Sequence, residues 1–126
     1  MCLYKVTKTS GFNPSRVYRG YKWLNSERRS FLLGSPVMSR RWLRDRDIPG
    51  EGGLSSSNGK YPRGFHLYSR LREARSSDWG MESNRQLWAV LVRRVVARGL
   101  GDGSARFGKR KAQIVAQEIR LVRRIK

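Results

Sequence analysis

Acid is what this chain has least of. Nine Asp and Glu stand against 28 Lys and Arg, a formal net charge of +19 over 126 residues. Carboxylates this sparse offer little for paired acid–base chemistry, and Asp45 and Asp47, flanking Arg46, would not share a helix face. Histidine and cysteine are scarcer, with one each at His66 and Cys2. A single cysteine excludes an internal disulfide and a cysteine-based zinc site, and it fits a reducing compartment. The carboxylates are too scattered for metal-ligand spacing, so no cofactor or metal is expected. No run of about 18 apolar residues is present to span a membrane. Met1 to Lys8 lacks the apolar stretch of a signal peptide, which makes the cytoplasm the expected location.

What is abundant is arginine, 21 against seven lysines. Guanidinium forks suit bidentate phosphate contacts and stacking on bases, so the bias points to nucleic acid or a nucleoprotein complex as partner. A surface this positive repels itself, and an anionic partner would neutralise it. Four Trp, five Tyr and four Phe argue for a folded core over a disordered polyelectrolyte. At this length one domain, residues 1–126, is large enough to fold without metal or disulfide staples.

The densest signal lies in Leu87 to Lys126, where 11 basic and two acidic residues give net +9. Leu87 to Arg98 is rich in Val and reads as a strand. Val90 and Val92 share one phase while Val95 and Ala97 take the other, which predicts a bulge near Arg93 and Arg94. Strand alternation implies that those two arginines face opposite ways, so that one of them serves the fold. Glycines at 99, 101, 103 and 108 mark a loop. Ala112, Val115, Ala116, Ile119 and Val122 fit a helical stripe, but β-branched residues through 125 favour a strand over 112–124 that pairs back on 87–98.

Upstream, Cys2 to Thr7 and Val17 to Leu24 read as strands, separated by the turn residues Thr9 to Pro14. Ser35 and Pro36 resemble a helix start, with a helix predicted to about Asp45 that places Met38 and Trp42 on one face; an irregular loop anchored by Trp42 is the alternative. Pro49 to Gly59 is a Gly- and Ser-rich flexible loop inside the domain. Tyr61 to Tyr68 reads as a strand, and Ser69 as the cap of a short helix carrying Leu71 and Ala74. The expected fold is a small α+β domain, mainly antiparallel sheet with a C-terminal hairpin and one or two short helices.

The expected nucleic-acid contacts are Arg40, Arg41, Arg93, Arg94, Arg98, Arg106, Lys109, Arg110, Lys111, Arg120, Arg123 and Arg124. Tyr18, Trp23, Trp42 and Phe107, each beside basic residues, are the candidate rings for base stacking. Two other readings stay open. One is an inhibitor that docks on an acidic protein surface; the other is a small enzyme, nuclease-like, using Cys2 or His66. The leading reading has no catalytic residue. The segment from Gly103 to Arg110 misses the phosphate-binding P-loop, since Arg110 stands where Ser or Thr would hold magnesium.

Met1-Cys2-Leu3-Tyr4-Lys5-Val6, Gly20-Tyr21-Lys22, Tyr61-Pro62-x-Gly64-Phe65-His66 and Val115-Ala116-x-Glu118-Ile119 together resemble a group of short phage and prophage proteins. The resemblance implies a phage-type accessory protein acting in the host cytoplasm. By analogy it implies a non-enzymatic, anti-CRISPR-like inhibitor of a host defence complex, and it carries over no catalytic residue.

Overall fold

A computed structural model describes residues 3–28, 37–44, 64–75, 85–101 and 111–126. The elements run β1 (Leu3–Lys8), β2 (Tyr18–Asn25), β3 (Leu43–Arg44), β4 (Phe65–Tyr68), α1 (Leu71–Arg75), β5 (Arg85–Gly101) and β6 (Lys111–Arg124). All strand pairings are antiparallel. The fold is thus mainly antiparallel sheet, with a helical share among the described residues of one five-residue helix.

The β5–β6 hairpin is the spine. Its ladder runs from Trp88↔Arg124 to Gly101↔Lys111, so the C-terminal segment is a strand. On its other edge β5 pairs first with β2, over residues 85–92, and then with β1, over 98–101. The free edge of β6 likewise takes β4 at 113–116 and β3 at 118–119. Tyr21↔Tyr68 joins β2 to β4, so β5, β2, β4 and β6 close a ring of pairings. Closure leaves only the outer strands β1 and β3 with a single partner among the described residues.

The ring encloses the main core: Leu24, Phe65, Leu67, Val90, Val92, Val95, Ile114, Ala116, Ile119 and Leu121, with Met38. A second cluster, Trp23, Tyr68, Ala74 and Leu87, lies under α1. All four residues of β4 are buried because Phe65 and Leu67 face the ring while Tyr68 meets α1. Ser69 does precede the helix, but its hydroxyl donates to the Ala112 carbonyl at 3.3 Å.

The ring is tight at Gly20. A methyl group there would collide with Leu67 Cδ1 and lie 2.9 Å from the Tyr68 carbonyl oxygen. Gly20→Ala should therefore destabilise the protein by about 2 kcal/mol through overpacking. Urea unfolding of the two proteins checks this; equal midpoints would mean that β4 moves aside freely.

The helix expected from Pro36 to Asp45 is not formed over the described residues 37–44. That backbone lies along β6: Leu121 N–H donates to Ser39 O at 2.8 Å, and Leu43 and Arg44 pair with Ile119 and Glu118. Burial of Met38 and the open edge of β6 override the local helix signal. Among the described residues no helix is long and apolar enough to cross a membrane. The loop expected at Pro49 to Gly59 lies outside the described residues.

Candidate nucleic-acid interface

The outward face of the hairpin is where arginine collects. Residues directly opposite on antiparallel strands share a face, and Arg93 stands opposite Glu118 while Leu91 stands opposite Arg120. Val92, Val95 and Ile119 point the other way, into the core. Arg94 breaks the alternation. Its φ of 56° is left-handed, and a register shift follows between Val95 and Ala97. The shift lies just past the bulge expected near Arg93 and Arg94, and at Arg94 itself the left-handed backbone is what departs from simple alternation. Two successive residues project outward, so Arg93 and Arg94 reach the same carboxylate.

That carboxylate is Glu118, only 7% of whose side chain is exposed. Arg93 grips it with a fork, Nε donating to Oε2 at 3.2 Å and a terminal nitrogen to Oε1 at 3.3 Å. Arg44 Nε lies 3.3 Å from Oε1 and Arg94 Nε 4.0 Å from Oε2. Three guanidiniums around one carboxylate leave two positive charges in excess. Pro14, Ser15 and Gln117 complete a cleft of about 580 Å³ with these four residues. The Pro14 side is held by Arg94 N–H donating to Pro14 O at 3.3 Å, and by a turn in which Asn13 Oδ1 accepts from Ser15 N–H at 3.0 Å.

Two aromatic rings each lie under a pair of guanidiniums; Trp42 flanks this cluster, and Tyr18, opposite Val92, takes the inward phase of β2. Arg93 lies 4.1 Å and Arg120 5.4 Å from the Trp42 centroid. Arg16 and Arg98 lie 4.8 and 5.1 Å from that of Tyr18. Cation–π contact fixes the planes of these side chains at the surface. Both rings also carry part of the fold: Tyr18 packs against the main core, and Trp42 is half-buried. Phosphate contact by the guanidiniums is accordingly a readier role here than base stacking on the rings.

The expected contact residues divide clearly. Arg93, Arg94 and Arg120 gather on this face, whereas Arg98, opposite the core residue Ile114, takes the inward phase beside Tyr18; Arg40 and Arg41 are exposed before β3; Arg123 and Arg124 are exposed at the end of β6. Lys111 opens β6. Arg106, Phe107, Lys109 and Arg110 lie outside the described residues, as does Cys2. Trp23 is not a stacking ring. It is 4% exposed and its indole N–H donates to Ala74 O at 2.7 Å, which places it in the core beneath α1. Sequence reasoning missed Arg44 as a contact and Glu118 as the organiser of Arg44, Arg93 and Arg94. A lone acid inside a β-branched strand, in a chain so short of acid, was the available signal for Glu118.

His66 is fully buried, so it does not face a substrate as the enzyme reading requires. Burial, with Lys22 nearby, lowers its pKa to about 3. Lys22 shares the inward phase of β2 with Leu24 and donates to His66 O at 2.6 Å; burial lowers its pKa to about 8. Both bases are depressed, so in each window between folded and unfolded pKa the unfolded chain holds the extra proton, and stability rises with pH. Melting temperature should climb between pH 8 and 10.5 through Lys22, and fall from pH 6.5 toward 3 through His66. Lys22→Met should flatten the alkaline rise. An undiminished rise in that variant would assign it to other groups.

In comparisons with protein-family models, curated proteins and solved structures, nothing matches this chain.

Proposed function

We propose that this is a non-enzymatic, phosphate-binding protein that attaches to nucleic acid, or to a nucleoprotein complex, through the outward face of its β5–β6 hairpin. One observation carries the reading: Arg44, Arg93, Arg94 and Arg120 converge on one strip around the Trp42 ring and a single carboxylate. Guanidiniums held flat at fixed spacing suit the oxygens of a phosphate backbone, and they do so independently of base sequence. Together with the resemblance to short phage proteins, this supports a role as a phage-encoded accessory factor. Such a factor would occupy the guide or target strand of a host defence complex in the cytoplasm.

The test is binding to labelled single- and double-stranded RNA and DNA across a salt series. Micromolar or tighter binding at about 150 mM salt, with a steep negative slope of log affinity against log salt, is the expected result. No binding under those conditions would overturn the reading and leave an acidic protein surface as the partner for the charge. For an isolated target complex, displacement by free RNA or DNA separates the same two cases.

A further inference from the structure

We infer that the cleft around Glu118 is a built site for one nucleotide phosphate, taken either from a free nucleotide or from one unit of a strand, with Arg94 and Arg44 as its phosphate ligands. The inference rests on the phosphate-binding reading above and narrows it from a charged strip to a single pocket.

Volume argues for more than a lone ion. About 580 Å³ falls in the range of small-ligand clefts and accommodates a nucleotide. The lining is rich in positive charge: three arginines stand against one carboxylate, Glu118, beside the polar Ser15 and Gln117.

The three arginines are not equivalent. Arg93 is committed, its fork on both oxygens of Glu118 and its plane over Trp42. Arg44 and Arg94 approach the carboxylate at 3.3 and 4.0 Å without the hydrogen-bonded fork that Arg93 makes. A guanidinium not committed to such a fork can match two phosphate oxygens bidentately. Each Glu118 oxygen accepts a hydrogen bond from Arg93, with Arg44 and Arg94 paired to it by charge. Glu118 acts as a positioning residue, holding the guanidiniums close together against their mutual repulsion.

Arg94 is the most telling of the set. It is 56% exposed and has the longest contact with Glu118, 4.0 Å. It also occupies a left-handed backbone conformation, φ 56°, which L side chains disfavour and glycine accepts. A residue held there with a side chain its own fold barely uses is accounted for by a ligand.

The experiment titrates AMP, adenosine, inorganic phosphate and a single-stranded octanucleotide into the full chain, its Arg94→Gly, Arg44→Gln and Arg72→Gln variants. Glycine suits the backbone at 94, so Arg94→Gly should melt no lower than the parent protein. Arg72 is exposed on α1, away from the cleft, and controls for lost charge. AMP should bind with one site per chain and adenosine should not. Arg94→Gly and Arg44→Gln should each weaken AMP about tenfold or more, and Arg72→Gln less than twofold.

Equal weakening by Arg94→Gly and Arg72→Gln, or no AMP binding at all, would overturn the pocket. Octanucleotide binding that persists in that event leaves the broader function standing, whereas AMP binding without octanucleotide binding sinks the broader function and keeps the pocket. If Arg94→Gly weakens AMP and octanucleotide together, the cleft takes a nucleotide of the strand. If it weakens AMP alone, the ligand is the free nucleotide.

Discussion

Trp23→Ala should cost the fold about 4 kcal/mol, lowering the urea midpoint sharply with little change in slope. The indole fills the space between β2 and α1, against Tyr68, Ala74 and Leu87. Its N–H satisfies Ala74 O at the end of the helix. A five-residue helix has no stability of its own in water, so this contact and the packing around it hold α1 in place. Tyr68 in the same cluster makes the β2–β4 pairing that closes the ring, so the damage should spread beyond the helix. Trp23→Phe keeps most of the volume and loses the hydrogen bond, and should cost about 1–2 kcal/mol. Similar losses in the two variants would show that the hydrogen bond, and not the packed ring, secures this side of the molecule.

Removal of Glu118 has the second-largest expected effect, with opposite signs for stability and binding. Glu118→Ala leaves Arg93, Arg44 and Arg94 facing one another without a counter-charge. Breaking a fully buried ion pair costs about 3–5 kcal/mol. These guanidiniums are partly exposed and rehydrate, so about 3 kcal/mol is expected, a fall of roughly 10 °C in melting temperature. Glu118→Gln preserves shape and one acceptor, and should lose less. In both variants the released guanidiniums and the extra unit of positive charge should tighten binding to RNA or DNA. Weaker binding in a still-folded Glu118→Gln protein would mean that the carboxylate's positioning of the guanidiniums outweighs the charge that it cancels.

The hairpin was legible in the sequence because its two strands carry so many β-branched residues, and the phase change after Val92 announced the bulge. The helical stripe from Ala112 to Val122 misleads for a physical reason. In a ring of strands both faces of β6 are covered along much of its length, so 113–116, 118, 119 and 121 are all buried and strict alternation is lost. The segment 37–44 went to β6 because long-range pairing outweighed a local Ser-Pro helix start. At the site, composition exposed the arginines, but composition cannot say which of them meet. Arg44 lies 74 positions from Glu118 in the chain, and only the β3–β6 pairing unites them. Likewise, nothing short of the left-handed backbone at Arg94 turns two neighbouring strand residues to one side.

In the proposed function, position on the hairpin face, and not net charge, makes the contact. The direct measurement is the salt slope of duplex binding for two triple variants of equal charge: Arg94→Gln with Arg44→Gln and Arg120→Gln on the strip, and Arg70→Gln with Arg72→Gln and Arg75→Gln around α1. At about 0.9 per phosphate contact, the strip variant should have a slope shallower by about 2.7, with the α1 variant close to the parent protein. Equal slopes in the two variants would contradict the claim and reduce the protein to a diffuse polycation.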